Sequence, residues 1–143
     1  MSRSIVLAID TAASRSELYR ILTTADGLRS FWTSDADAEA REGGSLRFGF
    51  EEAPVDLSMT VGTMVEGRSI EWTSIGPWPG WVGTRINWRI DDGANGHTIV
   101  FAHSGWADET EDADLGAVAL TWARVLIALT AHAESGHPAP ALG

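Results

Sequence analysis

Hydrophobic residues along this chain repeat first with the period of a helix, then with that of a strand, and finally with that of a helix again. After a short apolar strand over residues 4–9, the first helical pattern is carried by Leu18, Ile21 and Leu22. Ser14 precedes this pattern and Glu17 follows three residues later, which is the spacing of a capping box that starts a helix. The pattern predicts a strand, a helix and, after a break at Asp26-Gly27, a second helical turn over residues 28–32.

Between residues 46 and 105, apolar and polar residues alternate, which indicates strands with one buried and one exposed face. The strands are predicted over residues 45–50, 55–65, 68–74, 81–91 and 97–105. Because the runs are short, consecutive and joined by turns, they predict an antiparallel meander rather than alternating strand–helix units. If inward residues of the last two strands oppose each other, Trp88 lies opposite Phe101 and Ile86 opposite His103.

The last pattern is a long helix over residues 114–135, whose apolar face carries Leu115, Val118, Trp122, Val125, Leu126 and Leu129. We expect His132 on its surface and a loose tail over residues 137–143 after the Gly136 stop signal. A strongly twisted sheet curls, and a long helix can lie in its concave side. The predicted fold class is therefore α+β, one domain over residues 1–143, with a curved antiparallel sheet wrapped around the C-terminal helix and two short helices after the first strand.

Composition narrows the range of partners. The 143 residues contain 20 acidic and 10 basic residues, a net charge of −10, and every basic residue is Arg. This charge repels nucleic acid and anionic lipid, so neither is an expected partner. The absence of Cys excludes disulfides and thiolate chemistry. The sequence shows no apolar run of 18 residues and no signal peptide, so we expect a cytoplasmic protein that does not enter membranes.

Five stretches of the amino-acid sequence are similar to those of a known family. They are ELYRILTTADGLRSFWT, EGGSLRFGF, WVGTRINWRI, HTIVFAHSGW and the C-terminal helix. Together they resemble the START-like (SRPBCC) superfamily, in the branch named after activators of the heat-shock-protein-90 ATPase. The resemblance implies the helix-grip fold, a curved sheet gripping a long helix, with a cavity for a small apolar molecule. We expect no second domain of the kind that a co-chaperone normally adds.

The gap between helix and sheet is the expected ligand site, and seven Trp residues favour an aromatic lining. The residues that we expect to contact a ligand are Trp32, Phe48, Phe50, Met59, Trp72, Trp88, Phe101, His103, Trp122 and Leu126. Trp78 and Trp81 lie in or beside a Pro/Gly loop, where they can form a lip, a lid or a dimer contact. A homodimer is therefore expected.

Polar chemistry inside this site is sparse. His103 is the one candidate for a catalytic group, with Tyr19, Thr63 and Thr84 as further polar groups. His97 stands roughly 20 Å from it along an extended strand, so the two cannot share a metal, and we expect neither a metal nor a cofactor. The function expected is the binding of a small apolar or aromatic molecule without covalent chemistry. The alternatives are an enzyme like the polyketide cyclases and aromatases, or a protein-interaction module like a co-chaperone.

Overall fold

The computed structural model describes residues 2–142, which form seven strands and three helices. The strands are β1 (Arg3–Thr11), β2 (Asp35–Ala38), β3 (Ser45–Gly49), β4 (Leu57–Val65), β5 (Ser69–Gly76), β6 (Arg85–Gly93) and β7 (Gly96–Trp106). The helices are α1 (Arg15–Thr23), α2 (Ala25–Phe31) and α3 (Asp112–Ser135). Met1 and Gly143, the two ends of the predicted domain, lie outside the described residues.

The strands form one antiparallel sheet in the order β1-β7-β6-β5-β4-β3-β2. The predicted register between β6 and β7 is confirmed, because Trp88 pairs with Phe101 and Ile86 with His103. These four side chains are fully buried beneath α3. The helix-grip architecture predicted from the sequence is therefore the observed one.

Thr24 separates the two short helices. It follows α1, and its hydroxyl accepts a hydrogen bond from Gly27 N at 3.0 Å, which caps α2. The predicted break at Asp26-Gly27 is therefore wrong, since Gly27 lies inside α2. Only glycine fits at position 27, because a Cβ there would overlap the backbone of Ile21.

The capping box at the start of α1 forms only in part. Ser14 Oγ accepts from Glu17 N at 3.2 Å, as expected. The Glu17 carboxylate, however, bonds to Arg20 at 2.6 and 3.1 Å instead of turning back to the backbone of Ser14. The Arg20 guanidinium is a charged donor and outcompetes the neutral amide for this carboxylate.

A register shift in β4 reverses the predicted faces near its end. The pairing with β5 is irregular between Val61 and Met64, so Val61 is buried but Thr63 is exposed. Met64 packs partly against the core in its place. A bulge moves every following side chain to the other face, so Thr63 does not point into the fold as predicted.

The strand predicted to begin at Trp81 begins four residues later, because residues 81–84 form a turn. Thr84 N donates to Trp81 O at 2.9 Å, and Gly83 takes a positive φ of 85°. Val82 lies in this turn and is consequently 63% exposed. The first residue of β6 is Arg85.

Helix α3 is apolar on more than the face that packs on the sheet. An 18-residue window of the helix has a mean hydropathy of 1.5, so by length and composition alone α3 resembles a membrane-spanning helix. In the fold, however, Trp122, Val125 and Leu129 pack in the core. On its outer face, Leu120 and Ile127 are 68% and 60% exposed. His132, predicted on the surface, is buried, because α3 also contacts α1.

The C-terminal tail is attached to α2 rather than loose. Ala139 N donates to Ser30 O at 2.9 Å, and Leu142 N donates to Trp32 O at 2.8 Å. Leu142 also forms an isolated parallel bridge with Thr33. The expectation of a loose tail fails for these residues because their backbone groups find partners at the end of α2.

We predict that Trp122→Ala lowers the free energy of unfolding by about 3–5 kcal/mol, because it removes a buried indole from between helix and sheet. Val82→Ala in the turn before β6 is the control, with an expected change within about 0.5 kcal/mol because Val82 is exposed. Urea unfolding followed by circular dichroism measures both. Equal losses in the two variants would contradict the packing of α3 on the sheet.

Candidate ligand-binding cavity

A cavity of about 620 Å³ lies at one end of the gap between α3 and the sheet. Its walls come from the end of α2, the loop after β3, the loop between β5 and β6, the first half of α3 and the tail. The lining residues are Trp32, Phe50, Glu51, Glu52, Ala53, Trp78, Trp81, Ala117, Val118, Thr121, Trp122, Arg124, Val125, Ala141 and Leu142. Its size is that of small-molecule sites in general.

Five aromatic residues of the lining touch one another in a continuous chain of ring contacts, and we call Trp32, Phe50, Trp78, Trp81 and Trp122 the aromatic wall. Along these contacts, neighbouring ring centroids lie 5.9, 5.4, 5.2, 6.4 and 4.9 Å apart. The angles between neighbouring ring planes run from 38° to 80°. These rings therefore form one packed aromatic cluster that contributes to the cavity lining.

The rings of the aromatic wall come from four separate segments, since Trp78 and Trp81 share the loop between β5 and β6. Trp32 follows α2 as its C-cap, and Phe50 comes directly after β3. Trp78 donates its indole N–H to Val55 O at 3.0 Å, which fixes the loop after β5 against the loop after β3. The cavity is thus assembled from segments far apart in sequence, and its shape depends on the whole fold.

The charged groups at the cavity mouth are unpaired. Glu51, Glu52 and Arg124 are exposed, and within residues 2–142 none of them forms an ion pair or a side-chain hydrogen bond. Most other Arg side chains of the protein are paired, for example Arg47 with three carboxylates. The three charges are therefore free to meet a ligand.

His103 lies behind the aromatic wall rather than in the cavity. Trp122 donates its indole N–H to His103 Nδ1 at 3.1 Å, and because an indole can only donate, Nδ1 accepts. The proton is then on Nε2, which lies 2.9 Å from Thr84 Oγ1. The Thr84 hydroxyl in turn donates to Trp81 O at 2.6 Å. His103 therefore links two members of the aromatic wall.

The imidazole of His103 is neutral in the folded protein. It is completely buried, with the rings of Trp81 and Trp106 at 4.7 and 4.5 Å. Burial disfavours the charged form and lowers the pKa of His103 to about 3. Since both ring nitrogens already have partners, His103 holds the wall in position and does not reach the cavity.

The structure places three of the ten predicted ligand-contacting residues on the cavity lining: Trp32, Phe50 and Trp122. The other seven are buried in the core instead: Phe48, Met59, Trp72, Trp88, Phe101, His103 and Leu126. Their rings interdigitate, with Trp88 at 4.9 Å from Phe101 and 5.6 Å from Trp72, and this fills the middle of the gap. None of these seven residues lines this cavity, and a ligand-binding role for the other three stays a prediction.

Several lining residues were missed by sequence reasoning. Trp78 and Trp81 were expected as a lip, a lid or a dimer contact, and they are half-buried members of the cavity lining. Two tryptophans within four residues of a Pro/Gly loop were the available signal. Ala141 and Leu142 gave no signal, because only the docked tail brings them to the site.

The fold and cavity define a class of protein: a helix-grip domain with an aromatic cavity beside its long helix. The family model described as "Activator of Hsp90 ATPase homolog 1-like protein" matches residues 12–134. The chain belongs to this family, as the resemblance in its sequence implied. No curated protein matches the chain in a sequence comparison.

Solved structures share this fold. The Aha1 dimer from Colwellia psychrerythraea is 28% identical with a TM-score of 0.83, and the match covers 94% of this chain and 98% of that one. DynU16, described as a putative protein in the dynemicin biosynthetic locus, is 14% identical with a TM-score of 0.77, covering 98% and 49% of the two chains. CalU16 from Micromonospora echinospora is 16% identical with a TM-score of 0.72, covering 94% and 78%. The last two show likeness of fold alone.

The lowered pKa of His103 makes stability depend on pH. Below about pH 6.5 the unfolded chain takes up a proton that the folded chain refuses until about pH 3, so stability falls as the pH drops through this window. The expected slope from this residue is up to about 1.4 kcal/mol per pH unit. His103→Gln keeps a donor and an acceptor without titrating, and its urea-unfolding free energy should change less between pH 7 and 5. Parallel pH profiles for wild type and variant would contradict the assignment.

Proposed function

We propose that this protein binds a small apolar or aromatic molecule in the cavity beside α3 and carries out no covalent chemistry on it. The observation that carries the proposal is the aromatic wall, five rings in the lining of a cavity large enough for a drug-sized molecule. Such rings offer large apolar area at low cost in side-chain entropy. Membership of the family is consistent with this function.

The expected affinity follows from the apolar area that a ligand buries. A single ring of roughly 150 Å² offers roughly 4 kcal/mol at about 25 cal/mol/Å², before the cost of association is subtracted. A generic ring compound should therefore bind weakly. A ligand that fills more of the 620 Å³ and matches the wall in shape can reach micromolar affinity.

The enzyme alternative is less favoured because its candidate base is inaccessible. His103 is buried with both nitrogens bonded, so it cannot take a proton from a molecule in the cavity. Thr63 is exposed on β4, and Thr84 already donates to Trp81 O. The remaining ionisable groups of the lining, Glu51, Glu52 and Arg124, form no hydrogen-bonded pair with one another.

Filling the cavity tests the binding function. Ala117 lines the cavity and Ala113 does not, yet both are exposed residues in the first two turns of α3. We predict that A117W abolishes the binding of N-phenyl-1-naphthylamine, an apolar dye whose fluorescence rises in dry sites, whereas A113W leaves it unchanged. Fluorescence titration measures both. No binding by the wild-type protein, or equal binding by A117W, would remove the proposal.

We further propose that two copies associate through the outer face of α3. The exposed Leu120 and Ile127 lie two turns apart on this face, and exposed apolar patches commonly mark contacts. A homodimer accords with the dimer described for the Colwellia psychrerythraea protein. The expected contact through Trp78 and Trp81 is replaced, because these side chains are half-buried in the cavity lining.

We predict that the double variant L120E/I127E is a monomer at tens of micromolar, where the wild-type protein sediments as a dimer. Two carboxylates placed in an apolar contact cannot be desolvated without partners. The control is Val6→Glu, which puts a charge on an exposed residue of the edge strand β1. A wild-type monomer, or a dimer lost only in V6E, would refute the assignment to α3.

A further inference from the structure

The cavity carries information about the charge of its ligand as well as its apolar character. Aromatic faces are negative, so a ring of them attracts a cation, and this attraction is strongest where water is excluded. The aromatic wall supplies four indoles and one phenyl ring to the lining of a single cavity. Indole is the strongest of the side-chain rings in this interaction.

The charged residues at the cavity mouth also favour a cationic ligand. Glu51 and Glu52 stand beside Phe50 with no partner among residues 2–142, and only Arg124 opposes them, so the lining carries a net charge of −1. The whole protein carries −10, which raises the local concentration of cations at its surface. An anionic ligand would meet the negative ring faces, both carboxylates and this field, with one guanidinium in its favour.

We propose that the ligand is an organic cation: an apolar or aromatic molecule that carries a quaternary or substituted ammonium group. The ammonium group lies among the rings of the aromatic wall near the two carboxylates, and the apolar body fills the rest of the cavity. This inference rests on the proposed binding function and adds the ligand class to it. A quaternary ammonium suits the site because it needs no hydrogen-bond acceptor and loses little hydration among aromatic faces.

A matched pair of probes tests the charge alone. Benzyltrimethylammonium and neopentylbenzene have the same shape and differ in one central atom, nitrogen with a positive charge or neutral carbon. Calorimetric titration of the wild-type protein should give about tenfold tighter binding of the cation. Raising the NaCl concentration should weaken the binding of the cation and leave the binding of the neutral compound unchanged.

Charge variants at the mouth locate the effect. E51Q/E52Q should weaken the binding of benzyltrimethylammonium severalfold relative to that of neopentylbenzene, and Arg124→Gln should strengthen it relative to the neutral compound. Glu66→Gln is the control, since Glu66 lies in the turn between β4 and β5, at the opposite end of the sheet.

The outcomes separate this inference from the binding function. Equal or tighter binding of neopentylbenzene overturns the cation inference and leaves the apolar site in place. Stronger cation binding in E51Q/E52Q, or weaker binding in R124Q, overturns it as well. If neither probe nor the apolar dye binds, the proposed function fails together with the inference.

Discussion

The position of the Trp122 indole between helix and sheet is the constraint on which the rest of the structure depends. Its ring lies 4.5 Å from Phe101 on the sheet and 4.9 Å from Trp32 at the end of α2, so one side chain joins three elements. Its indole N–H donates a hydrogen bond to His103 Nδ1, a buried acceptor that would cost folding free energy if it had no partner. The same ring faces the cavity, so the contact that secures α3 also shapes the site.

The periodicity of the sequence sufficed for the fold because alternation assigns each side chain of a strand to the buried or the exposed face. A slip of one residue would expose Trp88 and Phe101 together, so their pairing followed from alternation alone. The pattern failed where a local irregularity intervened. Backbone hydrogen bonds with other segments determine two such irregularities, the bulge that exposes Thr63 and the turn that delays β6 until Arg85. The alternation of apolar and polar residues contains no information about these bonds.

The site was harder to predict than the fold because inward-facing and cavity-lining are different properties. Phe48, Trp72 and Trp88 face inward as predicted, but such large rings fill the centre of the gap. Space for a ligand remains at one end of the gap between α3 and the sheet, where loops and the C-terminal tail line the cavity instead of strands. Loops carry no hydrophobic period, so residues such as Glu51 and Leu142 become neighbours only through long-range folding.

The docked tail has a practical consequence for anyone who handles this protein. Ala141 and Leu142 form part of the cavity lining, held by backbone bonds to Phe31 and Trp32. Any peptide fused behind them starts at the rim of the cavity, where it can cover the mouth or pull the tail from α2. Affinity handles and reporter fusions therefore do not belong directly behind this tail.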